Sequence, residues 1–222
     1  IGETDIRLKW LGHSGFLIQN SKVIYIDPYQ IDAEGKPGAD IILLTHSHYD
    51  HCSFEDINKI VKEGTKIFAT ADCQSKITRS TVPVNIQIVE PGQEIGVGEI
   101  KINVFPAYNK DKTFHPKEEG CVGYLIKING ALIYHAGDTD FIEEMQRLTG
   151  YKNSTKEFVA LLPIGGRFTM TAEEAAGAAE LIKPTIAIPM HYGSIAGNRD
   201  DALEFKELCE EKGIRVEILE KE

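Results

Sequence analysis

No stretch of this chain approaches the roughly 18–20 consecutive apolar residues that a membrane-spanning helix needs. Cysteine is scarce: Cys52, Cys73, Cys121 and Cys209 are scattered, and no two form a C-x-x-C pair. A disulfide framework is therefore disfavoured, and reduced thiols in a cytosolic protein are expected. Ile1-Gly2-Glu3-Thr4-Asp5 has neither the basic nor the apolar region of a signal peptide, which agrees with a cytoplasmic location. Positive charge is short as well: 24 Lys and Arg stand against 34 Asp and Glu, a formal charge of −10. Phosphate-backbone binding relies on Lys and Arg, so a broad nucleic-acid footprint is not expected. What remains is ordinary for a soluble globular chain, 42% hydrophobic and 26% charged. Its 222 residues suit a single domain, 1–222, with a substantial core.

Histidine, by contrast, is concentrated. Three of the seven fall in Thr45-His46-Ser47-His48-Tyr49-Asp50-His51, with a carboxylate among them. Imidazole nitrogen and carboxylate oxygen are the usual ligands of zinc and similar cations. Side chains of an extended segment repeat every two residues, so His46, His48 and Asp50 project to one side. A turn at Tyr49-Asp50 brings His51 to the same place. The bland alternative is a polar turn whose histidines cap a helix. Before the cluster, Ile41-Ile42-Leu43-Leu44 reads as a buried strand. After it, Ser53 at an N-cap, Asp56 three residues on and Gly64 beyond the end read as a helix. The cluster thus lies on the loop at a strand's carboxyl end, where ligand sites of helix-covered sheets are found.

Strands are expected at Ile6 to Trp10, Phe16 to Ile18, Val23 to Ile26 and Lys66 to Thr70. Residues 29–40 read as a loop, and Ala71 to Ser80 as a short helix or loop. Ile86 to Phe105, punctuated by Pro91-Gly92, Gly96 and Gly98, reads as a three-stranded antiparallel meander. Asn129-Gly130 predicts a hairpin joining Val122–Ile128 to Ala131–Tyr134. Helices are expected over Asp140 to Leu148, after the capping box Thr171-Ala172-Glu173-Glu174 as far as Ile182, and over Asp201 to Lys212. The last would bury Leu203, Phe205 and Leu208. Val159 to Ile164, Thr185 to Pro189 and Ile214 to Leu219 complete the strands.

His46-x-His48-x-Asp50-His51 resembles the signature of the metallo-β-lactamase superfamily. Trp10-Leu11-Gly12-His13, Asp27-Pro28, His135-Ala136-Gly137-Asp138-Thr139 and Pro189-Met190-His191-Tyr192-Gly193 resemble further blocks of that family, in its order, across nearly the whole chain. The nearest likeness is to small stand-alone zinc-dependent hydrolases, distantly related to ascorbate-phosphate lactonases and N-acyl-ethanolamine phospholipases. The resemblance implies an α/β fold, a four-layer αβ/βα sandwich of two mixed β-sheets flanked by helices. It also implies two divalent metal ions, zinc by default, with Mn or Fe compatible with an all-N/O shell. One would take His46, His48 and His115, the other Asp50, His51 and His191, with Asp138 between.

One departure stands out. Where many members carry the third histidine of the first metal, this chain has Tyr108-Asn109. Either the loop brings His115 in, or the first site is one nitrogen short and His115 lies at the pocket mouth. Asp27 is a ligand brace or a plain turn former. His13 lines the pocket, supports a ligand or is structural, and His135 supports a ligand. Cys52 is a small buried residue packing under the site, or a soft ligand.

The implied chemistry is hydrolysis of a small ester, lactone or phosphodiester by a metal-held hydroxide, with Asp50 and His191 as candidate catalytic residues. Asp50 would orient the nucleophile or shuttle a proton. Arg167, Lys110 and Lys112 are candidates to hold an anionic small-molecule substrate, or are solvated charges. Tyr108, Phe114 and Phe168 are candidate apolar walls or loop anchors. A non-catalytic, single-metal sensing protein is the alternative.

Overall fold

Period-two alternation sorts the side chains of the first half onto two faces. Phe16, Ile18, Ile24, Ile26, Ile41 and Leu43 enter one core, and Leu17, Tyr25 and Ile42 enter another. The computed structural model, which describes residues 4–78 and 82–222, shows why both are needed. A first sheet orders β1 (Arg7–Gly12), β2 (Gly15–Gln19), β3 (Val23–Ile26), β4 (Ile41–Leu43), β5 (Lys66–Ala69) and β6 (Asn85–Ile88) side by side. It is antiparallel from β1 to β3 and parallel from β3 to β6. A second sheet holds β7 (Glu94–Val97), β8 (Ile100–Pro106), β9 (Val122–Ile128), β10 (Ala131–His135), β11 (Glu157–Pro163) and β12 (Ile186–Met190). It is antiparallel from β7 to β10 and parallel from β10 to β12.

The larger core fills the space between the sheets. The smaller one lies on the outer face of the first sheet, covered by α1 (Phe54–Ile60) and α2 (Gln74–Ile77) through Ile57, Ile60 and Ile77. On the other side α3 (Ala172–Ile182) packs its small face, Ala175, Ala176 and Ala179, on β11, and α4 (Arg199–Glu211) packs on α3. β11 is buried along its whole length, as a strand covered on both faces must be. The result is helix, sheet, sheet, helix. Each large apolar side chain so buried contributes about 1.5–3 kcal/mol. Among the described residues no helix is long and apolar enough to cross a membrane.

Several elements differ from expectation. The three strands of the supposed meander are divided between the sheets: β6 pairs parallel with β5, while β7 and β8 form a hairpin in the second sheet. Pro91-Gly92 therefore marks the crossing between sheets rather than a hairpin turn. Asp140 to Leu148 is not an α-helix; a 3₁₀ helix begins only at Glu143. The preceding residues are tied to the 108–112 loop instead, through Asp140 N to Tyr108 O and Lys110 N to the Asp140 carboxylate. α4 starts earlier than expected, capped by Asn198, and its phase buries Ala202, Phe205 and Cys209 while Leu203 is 50% exposed. Ile214 to Leu219 is not a strand but makes one bridge, Val216 to Ala187. Ala71–Cys73 is a 3₁₀ turn leading into α2, and Arg79 and Ser80 lie outside the described residues, as do Ile1, Gly2 and Glu3. The capping boxes of α3 and α4, the Ser53 cap of α1 and the Asn129-Gly130 hairpin, with φ of 46° and 82°, are in place.

Candidate metal centre

Seven strands end on the same edge of the sandwich, and the residues that follow them meet there. β4 leads to Thr45–His51, β10 to Asp138, β12 to His191, β1 to His13 and β3 to Asp27. β8 feeds the loop to His115, and β11 the loop to Phe168. Three sets of donor atoms lie within 4.8 Å of one another: His46, His48 and His115; His13, Asp50, His51 and His191; and His46, His51 and Asp138. All seven residues expected at the site are brought together. Asp138 Oδ2 stands 3.0 Å from His191 Nε2, 3.4 Å from His51 Nε2, 3.6 Å from His115 Nε2 and 4.0 Å from His46 Nε2.

The loop after β8 places His115, not Asn109, among the donors. Asn109 N donates to His115 O at 2.8 Å, closing the loop so that His115 turns inward at φ 57°. The Asn109 side-chain amide donates to Phe114 O and Phe168 O, at 2.8 and 2.7 Å. Asn109 thus shapes the loop, and His115 Nε2 reaches 2.9 Å from His48 Nδ1.

Hydrogen bonds on the far side of the rings decide which nitrogens face the centre. Asp27, fully buried, accepts from Thr45 N at 2.9 Å, Thr45 Oγ1 at 2.6 Å and His51 Nδ1 at 2.8 Å. Since the Thr45 hydroxyl proton goes to Asp27, its oxygen accepts from His46 Nδ1 at 3.0 Å. His115 Nδ1 donates to Phe168 O at 3.3 Å. His46, His51 and His115 therefore each carry the proton on Nδ1 and present a bare Nε2 inward, the arrangement that orients histidine toward a metal. His46 Nε2 and His115 Nε2 both lie within 3.0 Å of His48 Nδ1, which carries at most one proton and so can donate to only one of these two bare nitrogens. Buried His51 Nε2 and Asp138 Oδ1 have no hydrogen-bond partner. A cation accepting these lone pairs satisfies all of them; the donor set fits a divalent metal.

The electrostatics agree. Burial and the neighbouring His51 hold His46 well below the ordinary histidine value. Burial also lowers His115, although Asp138 opposes it. Burial disfavours charge on His51, but the Asp138 and Asp27 carboxylates outweigh it and hold His51 well above the ordinary value. Burial likewise opposes ionisation of Asp138, and His191 and His51 overcome it, keeping the carboxylate ionised. For Asp50, hydrogen bonds from His13 and His51 prevail over burial in the same way.

His13 is the residue that sequence reasoning undervalued. It is buried at φ 51°, with Nε2 2.9 Å from Asp50 Oδ2 and Nδ1 3.1 Å from Ser194 Oγ. Its ring centroid lies 4.0 Å from that of His191. The signal was its place after Gly12 at a strand end, beside Trp10, whose Nε1 donates to His13 O. Asp27 is a brace, not a mere turn. His135 lies apart: its Nε2 bonds Ser14 O and its Nδ1 accepts from Gly137 N. Gly137, at φ 67°, is demanded by the backbone, because a Cβ there would lie 2.5 Å from Val122 O. Cys52 is buried in the core under the first sheet, and the other three cysteines are unpaired and buried too.

Above the donors opens a cavity of about 160 Å³. Its floor is His48, Asp50, His115, Asp138 and His191, and its walls are Tyr49, Phe114, Phe168 and Ile195. The three candidate cations are elsewhere. Lys112 pairs with Asp140, Lys110 is exposed, and exposed Arg167 stacks on Phe168 with its guanidinium 4.9 Å from the ring centroid. Tyr108 does not reach the cavity; its hydroxyl donates to Glu144 at 2.8 Å.

Comparison with known proteins bears on the family and the fold. The profile of the Beta-lactamase superfamily domain matches residues 7–191. The chain is 37% identical over 222 residues to a UPF0173 metal-dependent hydrolase of Pyrococcus furiosus, covering 96% of each. A solved chain from Parabacteroides distasonis superposes with a TM-score of 0.83 at 30% identity, over 98% of this chain and 94% of that one. A metallo hydrolase of the archaeon Ignicoccus hospitalis gives a TM-score of 0.76 at 27% identity, over 97% and 95%.

Proposed function

The chain belongs to the beta-lactamase superfamily and is a metal-dependent hydrolase within it, and we propose that it cleaves a small ester, lactone or phosphodiester with two divalent cations, zinc by default. His46, His48 and His115 would hold one cation and Asp50, His51 and His191 the other, with Asp138 reaching both. The observation that carries this reading is the position of Asp138 Oδ2, within 4.0 Å of imidazole nitrogens from both sets. Such cations supply an acidified water and an electrophilic hold on the substrate oxygen.

The chain's own residues do the rest. Asp50 lines the cavity and is fixed by His13, so it can take the proton of the attacking water and return it to the leaving oxygen. The water oxygen bonds to the acyl carbon or phosphorus, the bond to the leaving oxygen breaks, and that oxygen departs with the proton. His191, buried against Asp138, keeps that carboxylate ionised and in place. Tyr49, Phe114, Phe168 and Ile195 restrict bulk water above the reacting groups.

Elemental analysis of protein purified without chelator tests the reading, alongside turnover of generic lactone and phosphodiester substrates. About two metals per chain and turnover are expected, and Asp138→Ala should lose both metal and activity. One metal or none, with no turnover after zinc or manganese is restored, overturns it.

A further inference from the structure

The geometry points to a narrower substrate class: an uncharged ester or lactone whose acyl part carries one apolar group about the size of a benzene ring. This rests on the hydrolase reading above and adds the selection made by the cavity walls. Three observations converge on it.

The first is size. The cavity, donor floor included, is about 160 Å³, close to the roughly 150 Å³ that holds one benzene molecule, so beside the ester it leaves room for no more than one ring. The second is the walls. Tyr49 is 62% and Phe114 46% exposed, two of the four large hydrophobic side chains left exposed among the described residues, and both line this cavity. Phe114 is held edge-on to Phe168 with centroids 5.0 Å apart, and Asn109 ties the backbone carbonyls of both. The loop that brings in His115 therefore also sets this aromatic wall. The third is charge. Among the described residues, the charged side chains lining the cavity, histidines aside, are the carboxylates Asp50 and Asp138. Lys112 is engaged by Asp140, and Lys76 by Ser47 O. An anionic group seated among Tyr49, Phe114, Phe168 and Ile195 would lose its hydration against apolar walls, with the Arg167 guanidinium stacked on the Phe168 ring and not among the lining residues.

The test uses the zinc-loaded full chain and methyl esters, followed by acid release at constant pH. The series runs from methyl acetate through methyl butyrate and methyl phenylacetate to methyl dodecanoate. A matched anion is methyl phenylacetate bearing a carboxylate on the ring, and bis(4-nitrophenyl) phosphate stands for phosphodiesters. We expect kcat/KM to rise at least about tenfold from acetate to phenylacetate, as filling an apolar pocket does, and to fall at dodecanoate. The ring carboxylate should cost about tenfold or more. Phe114→Lys, at a half-exposed position, should reverse that order and favour the anionic ester.

A binding arm is independent of turnover. Uncharged 4-fluoroacetophenone, followed by its ¹⁹F resonance, should bind the wild type and weaken about tenfold in Phe114→Lys and Phe168→Ala at unchanged metal content. Absence of turnover on every ester and on the phosphodiester would sink the hydrolase reading, while the fluorine experiment still judges the pocket. A flat acyl series, an anionic ester cleaved as fast as its neutral match, or fluoroacetophenone binding indifferent to both substitutions overturns the substrate class.

Discussion

Asp27→Asn offers the sharpest test of how the centre is built. Asp27 sits at φ 41°, a conformation Asn tolerates as well as Asp, so the backbone is not the variable. Its Oδ1 accepts from Thr45 N, and its Oδ2 accepts from Thr45 Oγ1 and His51 Nδ1. If the amide oxygen keeps Thr45 N, the amide NH₂ faces His51 Nδ1. That nitrogen must then accept, and the ring proton moves to Nε2, the atom aimed at Asp138. A protonated Nε2 is no ligand. Loss of such a bracing partner typically weakens metal binding by about 10–100-fold, or about 1.4–2.7 kcal/mol. Zinc titration against a competing chelator should find the site containing His51 weakened by that factor and the site of His46, His48 and His115 less affected. Cobalt substitution tells the two sites apart by their absorption. Unchanged affinity at both sites, in a variant that melts like the wild type, would refute the bracing role and the tautomer argument together.

Further outcomes follow from the same geometry. In chelator-treated protein, His51 is opposed by burial but held above its ordinary value by Asp138 and Asp27. Its protonation therefore contributes stability that is complete below about pH 6.5 and is lost as pH rises through the folded value. Thermal melts across that window should decline, and zinc affinity, which competes with that proton, should climb over it. His115→Ala should remove about one metal per chain by elemental analysis; Asn109→Ala, which loses two hydrogen bonds to carbonyls, should lower stability by about 1–3 kcal/mol yet retain the metal stoichiometry. His13→Ala frees the Asp50 carboxylate, so kcat should fall at least about tenfold with metal retained by His46, His48 and His115. His13→Gln, able to donate to Asp50, should recover part of that loss.

How much could be read beforehand depended on whether the informative contacts are local. His46, His48, Asp50 and His51 are neighbours in sequence, so their convergence was legible, although the backbone there is a turn in which His51 N and Cys52 N donate to His48 O, not the extended segment expected. Ser53, Thr171 and Asn129-Gly130 announce themselves because caps and tight turns are satisfied within a few residues. The sheet to which Ile86 belongs is not a local property, since its partner strand is more than fifteen residues back and the turn after it looks like any other. Leu203 was misread because it lies two residues, about 200° of helix turn, from Phe205 and so faces away from the buried stripe of Ala202, Phe205 and Cys209. His13 was hardest. Its partners Asp50 and Ser194 lie 37 and 181 residues away, and a single histidine after a glycine carries no period. Asn109, in the place of an expected ligand, proved informative for another reason: its backbone and amide close the loop that turns His115 inward.

The distribution of backbone strain says how the centre comes to exist. Among the described residues seven non-glycine positions have positive φ, and four of them, His13, Asp27, His115 and His191, belong to this edge. Each such position costs about 1–3 kcal/mol and persists only where its surroundings enforce it. Here the enforcement is visible: Asp27 N donates to Leu43 O, His191 N to His13 O, and Asn109 N to His115 O. A strand left to itself would carry its next side chain outward, beyond the sheet edge; a left-handed residue turns the chain and lays the ring across that edge. Close packing at Gly165 points the same way, because a Cβ there would lie 2.6 Å from His191 O and 2.7 Å from His191 Nδ1. These constraints run through the sheets and their loops. The sandwich therefore holds the donors in place, and a cation bound among them would add stability by mass action.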